Sequence, residues 1–520
     1  QPPPPPGGQQ PPAPPPPPPP GGQQPPPPPG GQQPPAPPPP PIAPPPVPEE
    51  IIQNISSNLE TRISPNPQGV TLSSPAIDKP NEISARSSLD TTAVLRENIA
   101  SGLEKINLEV PIAQIEDLRQ QEYENYFGNK LLPNGTLADS SSTVSVERTQ
   151  NILGNIAGET GKKPAILYVF VQPNQLDLVL FTPEGKPVYR SVPEVQREVL
   201  RQVVRNFTSE ITDVTRRNTT TYLKPAQQLY KWIISPVEAE LKAQGIDTLV
   251  FSLDVGLRSL PIAALHDGEN FLVQKYSLGL IPSINLVDTR YQDIRNSQIL
   301  AMGASKFPNQ SPLPAVPIEL SLIANNIWQG RTFLNEDFTY TNLRDQHSKQ
   351  PFRIIHLATH ANFQRGEPNK SYIQLWNSQL SLNQLREIGW SNSSIELLVL
   401  SACRTAVGDE QAELGFGGLA VAAGVKSALA SLWYVSDQGT LALMTEFYEQ
   451  LKKVPIKSEA LQQAQIAMIK GEVRIENNKL VGLSSQPEGV DLPPELANIK
   501  NQNLSHPYYW AAFTMIGSPW

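Results

Sequence analysis

Short apolar runs alternate with helical segments over the part of the chain that follows about Lys163. The first two runs predict a β-hairpin, and four later runs predict buried strands that end in small or polar residues. The hairpin is predicted over 165–172 and 176–183, and the strands over 248–254, 299–305, 353–360 and 395–403. Helices are predicted over 226–244, 318–329, 414–425 and 440–453. This alternation is typical of an α/β fold with a mostly parallel sheet, in which ligands bind beyond the carboxyl ends of the strands.

The segment 49–160 is polar and broken by prolines. One helix is predicted over 112–127, where Ile112, Ile115, Leu118 and Tyr126 would share an apolar face. A serine run at 140–142 follows it. We interpret this segment as a partly helical lead-in and not as a separate domain.

The first 48 residues contain 30 of the 57 prolines and three copies of Gly-Gly-Gln-Gln. Proline blocks favour extended polyproline II helices, with bends at the glycines. No charged residue precedes Glu49, so no basic residue orients a block in an aromatic-lined groove. We therefore favour a disordered, semi-rigid spacer over a set of docking motifs.

Charge and cysteine content exclude several classes of protein. The net charge of −8, without a basic block, argues against nucleic acid as the main partner. A single cysteine excludes a disulfide scaffold, and the longest small-apolar stretch, 417–433, is interrupted by Lys426, so no membrane span is expected.

The sequence begins with Gln1 and not with Met, which leaves open a preceding signal peptide. The compartment is therefore left open between cytoplasmic and exported.

Two of the predicted strands end in reactive side chains. The first reaches His360, and the second ends at Cys403, the only cysteine, 43 residues further on. This separation allows one crossover between parallel neighbours, which would bring both side chains to the same sheet edge. The imidazole would then take the thiol proton and return it to the leaving group, as acyl transfer or peptide hydrolysis requires, without a metal or other cofactor. A second interpretation stays open, because a lone cysteine or histidine at such a position is often a core residue.

His356 precedes His360 by four residues on the same predicted strand. Four residues of strand span about 13 Å, so the two imidazoles cannot bind one ion. Leu357 also occupies the place of the glutamate in the zinc-protease motif HExxH. We therefore predict no metal site, and a structural or supporting role for His356.

The motifs around these residues resemble those of CHAT domains, which are caspase-like cysteine peptidase domains related to separase. The resemblance rests on HLATHA at 356–361, LSACRTA at 400–406, GFGGLA at 415–420, SLWYVSD at 431–437 and HPYYWAAF at 506–513. It implies an α/β, caspase-like sandwich with a mostly parallel central sheet, an inactive first half and an active second half. His360 would be the base and Cys403 the nucleophile. The domains are then a proline-rich tail at 1–48, the lead-in at 49–160 and the CHAT domain at 161–520.

The resemblance also implies an oxyanion site and a specificity residue. The backbone N–H groups of Ala361 and Cys403 would stabilise the oxyanion, with alanine at a position that is usually glycine, provided that its φ stays negative. Asp437 matches an acidic residue that binds a substrate arginine in separase-like relatives, although Gly439 occupies the place of the second acidic residue. Capping of the helix predicted from Thr440 is an equally weighted role for Asp437. Lys306 is a weak candidate for binding an acidic P1 residue.

Two further motifs have structural interpretations. Asp254 and Arg258 are expected to form an internal salt bridge in the first half. The glycines at 415–418 lack the lysine of a P-loop, so close packing of a helix beside the cysteine loop explains them better.

Two functions remain open on the sequence. The first is a cysteine endopeptidase that cleaves protein or peptide substrates, with a basic P1 preference and dependence on activation as further expectations. The second is a catalytically silent scaffold that binds protein partners. A regulatory protein is a possible partner in either case.

Overall fold

The computed structural model describes Gln1 and residues 109–127, 145–350, 352–390, 395–405, 409–496 and 501–520. The rest of the proline-rich tail, residues 2–48, and the serine run at 140–142 lie outside these residues. No helix in the described parts of the chain has the length and apolar character needed to cross a membrane.

Alternate residues of the first strand belong to two different core clusters that each include helix residues, so helices pack on both faces of the sheet there, as in an α/β fold. The helices are α1 Glu109–Phe127, α2 Val146–Thr160, α3 Arg197–Thr212, α4 Leu223–Ile233, α5 Glu238–Gln244, α6 Val316–Ser321, α7 Tyr340–Lys349, α8 Leu382–Leu385, α9 Glu410–Gly417, α10 Leu419–Ala423, α11 Asp437–Leu451, α12 Lys457–Ile469 and α13 Pro507–Trp510. The strands are β1 Pro164–Val171, β2 Leu176–Phe181, β3 Val188–Val192, β4 Thr248–Leu253, β5 Ser277–Leu280, β6 Ile299–Gly303, β7 Gly330–Leu334, β8 Ile354–Phe363, β9 Tyr372–Gln374, β10 Gln379–Ser381, β11 Leu397–Thr405, β12 Ser427–Ser431, β13 Arg474–Glu476, β14 Lys479–Val481, β15 Val490–Asp491, β16 Asn501–Gln502 and β17 Phe513–Gly517.

The main sheet has the strand order β7-β6-β8-β11-β12-β17-β5-β4-β1-β2-β3, and the β9–β10 hairpin pairs with the end of β8. Pairing is parallel from β7 to β12 and from β17 through β5 and β4 to β1. It is antiparallel between β12 and β17 and in the β1–β2–β3 meander. The strands β13 to β16 form a separate small sheet. The predicted α/β fold with a mostly parallel central sheet is therefore confirmed.

The predicted strands and the hairpin are present within a few residues of their expected bounds. Two helices were predicted as continuous, and this prediction is wrong because each is interrupted. The helix expected over 226–244 is divided into α4 and α5 by a 3₁₀ turn at Ser235–Val237, because Pro236 has no N–H to donate. The helix expected over 414–425 is divided at Gly418 into α9 and α10. A third predicted helix, over 318–329, consists of α6 followed by a π-helical turn at Leu322–Ile327.

The two helices of the lead-in are part of the fold. The predicted apolar face of α1 is confirmed for Ile112, Ile115 and Leu118, each 1% exposed, whereas Tyr126 is half-buried. These residues share a core cluster with Leu153 and Ile156 of α2 and with Ile166 of β1. Both helices therefore pack on the first half of the sheet.

Buried ion pairs join α1 to the residues that follow β4. Arg119 Nη1 lies 2.9 Å from Asp254 Oδ1, and each side chain is 1% exposed. Arg258, expected to pair with Asp254, forms an ion pair with Glu122 of α1. Asp254 Oδ2 also accepts the N–H of Val171, the last residue of β1, at 2.9 Å. These interactions fix α1 across the carboxyl ends of β1 and β4.

We expect the substitution Arg119→Ala to lower the free energy of unfolding by about 3–5 kcal/mol, because it leaves the Asp254 carboxylate buried without its cation. The matched control is Arg474→Ala, which removes the exposed ion pair with Glu476 and should cost less than about 1 kcal/mol. Urea unfolding followed by circular dichroism measures both. Equal costs for the two variants would contradict a stabilising role for the α1 ion pairs.

Candidate active site

The register of β8 and β11 brings the predicted dyad positions together. The two strands are parallel neighbours, with Ala402 paired to His360 and Cys403 paired to Ala361. Neighbouring strands lie about 4.8 Å apart, so His360 and Cys403 occupy adjacent places at the carboxyl edge of the sheet.

A β-bulge immediately precedes His360. Leu400 pairs with Leu357 and Ala402 pairs with His360, so β8 advances by three residues where β11 advances by two. A bulge bends its strand and redirects the side chains that follow, and such bulges are common beside active sites. The extra residue of β8 thus sets which residue of β8 stands opposite the end of β11.

The imidazole of His360 is half-buried among aromatic rings and one backbone carbonyl. The rings of Phe307 and Tyr434 lie at centroid distances of 4.9 and 5.8 Å, and Nε2 lies 2.8 Å from the carbonyl oxygen of Ser311. Phe307 and Ser311 belong to the loop after β6, and Tyr434 belongs to the loop after β12. All three therefore come from the carboxyl ends of strands in the same half of the sheet.

The Ser311 carbonyl fixes the tautomer of His360. A carbonyl oxygen can only accept a hydrogen bond, so Nε2 must carry the ring proton. In a neutral imidazole, Nδ1 then has the free lone pair and is the basic atom. Sequence reasoning missed Ser311, because a backbone carbonyl leaves no signature in the residue type.

Burial lowers the pKa of His360 below its ordinary value of 6.5, and the hydrogen bond to Ser311 opposes this shift only in part. The imidazole is therefore mostly neutral at pH 7 and able to accept a proton. Because the unfolded chain binds the proton more readily, this residue favours unfolding only as the pH falls below about 6.5.

The position of Asp437 differs from the capping role that was considered for it. The cap of α11 is Ser436, whose Oγ accepts the N–H of Gly439 at 3.3 Å, and Asp437 is the first residue of the helix. Its Oδ1 accepts the hydroxyl proton of Tyr434 at 2.8 Å. Burial raises the pKa of Asp437 to about 6, against the lowering effect of that hydrogen bond. Tyr434 thus contacts both His360 and Asp437.

The remaining candidate residues differ in their surroundings, and that of His356 agrees with its structural interpretation. His356 is fully buried, with Nδ1 at 3.2 Å from the Tyr448 hydroxyl and Nε2 at 3.1 Å from Glu319 Oε1. Lys306 is exposed in the loop after β6. Ala361 is 3% exposed and is not among the residues with positive φ, so its backbone meets the condition set for an oxyanion donor.

The glycines after Cys403 pack against aromatic residues of α1. A Cβ added at Gly415 would lie 3.1 Å from the Tyr126 hydroxyl, and one added at Gly417 would lie 2.8 Å from the Tyr123 hydroxyl. At Gly418 an added Cβ would collide with the ring of Phe127. Close packing therefore explains these glycines.

Within the described ranges, no group of three or more His, Cys, Asp or Glu side chains is placed to hold a metal ion. The chemistry of the site is that of an imidazole beside the position of a cysteine, at the carboxyl edge of a parallel sheet.

The CHAT domain family matches residues 223–518, which is more than half of the 520 residues. The chain therefore belongs to the CHAT domain family, a caspase-like, peptidase-related domain. The match contains all five motifs noted in the sequence.

The chain is also similar to two crystal structures of the Saccharomyces cerevisiae separase–securin complex, at 3.0 and 2.6 Å resolution. The first has 11% identity and a TM-score of 0.48, and covers 84% of this chain and 35% of the matched chain. The second has 10% identity and a TM-score of 0.44, and covers 79% and 34%, respectively. The chain thus spans about a third of the length of those chains. No curated protein matched the sequence.

We expect His360 to titrate below pH 6.5, since burial disfavours the imidazolium. The variant Phe307→Ala admits water to the ring and should move the midpoint upward, towards 6.5. Carbon-13 NMR of a histidine-labelled sample measures the midpoint, with His360→Gln to assign the signal. A wild-type midpoint above 6.5 would contradict the described burial of the ring.

Proposed function

We propose that the chain is a cysteine endopeptidase in which His360 and Cys403 form a catalytic dyad. The observation that carries the proposal is the β8–β11 register, which sets His360 and Cys403 one pair apart at the carboxyl edge. The hydrogen bond from Nε2 to Ser311 supports the assignment of Nδ1 as the base. Membership of a peptidase-related family supports a protein or peptide as the substrate.

The reaction begins with transfer of the Cys403 thiol proton to His360 Nδ1. The thiolate attacks the scissile carbonyl carbon, and the N–H groups of Ala361 and Cys403 donate to the oxyanion. The imidazolium then returns its proton to the amine as the C–N bond breaks. Water, deprotonated by the same imidazole, hydrolyses the thioester and restores the thiol. The Ser311 carbonyl holds the ring and stabilises its positive charge while Nδ1 is protonated.

Asp437 gives the site a preference for a basic P1 residue in this proposal. Its carboxyl is half-buried, and Tyr434 links it to the candidate base. A carboxylate in such a place pairs well with a guanidinium or ammonium group. With a pKa of about 6, Asp437 is mostly ionised at pH 7 and mostly neutral below pH 5.

We expect Cys403→Ala to abolish cleavage of a P1-scanning fluorogenic peptide library, and His360→Ala to reduce kcat/KM by about 10²–10⁴-fold. The control His266→Gln removes another buried imidazole, one that packs on Phe271, and should leave kcat/KM unchanged. Cleavage that survives Cys403→Ala would contradict the dyad. Labelling of Cys403 by a peptidyl electrophile without turnover would indicate a formed site that requires an activator, whereas absence of both would favour the silent scaffold.

We expect the ratio of kcat/KM for P1 arginine over P1 glutamine to rise by about 10–100-fold as the pH increases through about 6, because Asp437 ionises. Cleavage of both substrates depends on the same His360, so the titration of His360 cancels in the ratio of their kcat/KM values. The variant Tyr434→Phe removes a hydrogen bond that lowers the pKa of Asp437, so the midpoint should move to higher pH. A ratio that stays flat from about pH 5 to about pH 8, or that persists in Asp437→Asn, would contradict this role.

A further inference from the structure

An amide-lined groove of about 450 Å³ lies next to the candidate base. The loop after β6 and the β9–β10 hairpin form its walls, through Phe307, Gln310, Tyr372, Gln374 and Gln379. Its size is that of a site for a small ligand or for a few residues of a peptide.

Two contacts tie the groove to the strand that carries His360. Phe307, which lines the groove, packs on the imidazole of His360 at 4.9 Å. On the hairpin side, the hydroxyl of Thr359 donates to the carbonyl oxygen of Gln374 at 2.6 Å. Phe307 thus connects His360 to the groove, whereas Tyr434 connects His360 to Asp437.

The chemistry of the groove is neutral and polar. None of the described residues that line it carries a charge at pH 7. Gln310 Nε2 donates to Gln374 Oε1 at 3.3 Å, whereas the buried Oε1 of Gln310 meets no donor within the described part of the chain. An unpaired buried acceptor is costly, and an N–H group from a ligand would satisfy it. A charged ligand group would instead be desolvated here without a counter-ion.

We propose that this groove is a substrate subsite that binds an uncharged, hydrogen-bonding side chain, glutamine or asparagine, a few residues from the scissile bond. The proposal rests on the proposed peptidase function and extends it to a second specificity position. The primary amide of such a side chain donates to Gln310 Oε1 and accepts from the amides of the hairpin.

The test uses short fluorescent peptides in which one position at a time is Gln, Glu, Lys or Leu and the others are mixed. The full chain with Cys403→Ala reports binding by anisotropy, and the unchanged full chain reports cleavage. Gln310→Glu and Gln379→Glu place a carboxylate in the groove from two different elements. Gln227→Glu, at an exposed position of α4, is the matched control.

We expect one position of the peptide at which the peptides with Gln bind about tenfold more tightly than those with Glu, Lys or Leu. In Gln310→Glu and Gln379→Glu the preference at that position should change to Lys by about tenfold, and Gln227→Glu should change nothing. If the peptides are cleaved but neither groove variant changes the side-chain preference, the subsite proposal is overturned and the peptidase proposal stands. Binding with the expected change but no cleavage would support the subsite while the peptidase function failed, and absence of both binding and cleavage would contradict both proposals.

Discussion

The parallel pairing of β8 with β11 is the constraint on which the candidate site depends. Their sequences are buried apolar runs, which favour central strands of a parallel sheet. The register fixes Cys403 opposite Ala361, and the bulge before His360 sets Ala402 opposite the histidine. A slip of one residue would exchange the two faces of the strand, so the same pairing that stabilises the core also determines which residues stand opposite one another at its edge.

The segment after the cysteine strand is packed both by residues that follow β4 and by α1, which lies outside the family match. The buried Glu413 of α9, the helix that follows the cysteine strand, accepts the N–H of Gly256 at 2.9 Å and the hydroxyl of Ser259 at 2.6 Å. The α1 helix, which precedes residue 223 where the family match begins, covers the glycines of α9 with its aromatic side chains. The lead-in thus supports the second half of the domain as well as the first.

Much of the sheet could be predicted from the sequence, because its central strands are long apolar runs that end in polar motifs. The short strands β5, β12 and β17 were not predicted, and the sequences of β5 (SLGL) and β12 (SALAS) have no β-branched or aromatic residue to mark them. Of the candidate site, the sequence indicated His360 and Cys403 through their chemically distinctive side chains, and Asp437 through the resemblance to separase-like relatives. It did not indicate Ser311, which acts through its carbonyl, or the cap Ser436, or the partners of Asp254 and Arg258 on a helix more than 130 residues away. Such contacts arise from tertiary packing and leave no local pattern.

The most direct test of the dyad is a crystal structure of the full chain with a peptide aldehyde that ends in arginine. We expect a thiohemiacetal bond from the aldehyde carbon to Cys403 Sγ, with His360 Nδ1 within about 3.2 Å of the adduct and Nε2 still donating to Ser311. The adduct oxygen should accept the N–H groups of Ala361 and Cys403. A peptide bound without a bond to Cys403, or an adduct with His360 turned away from it, would contradict the account.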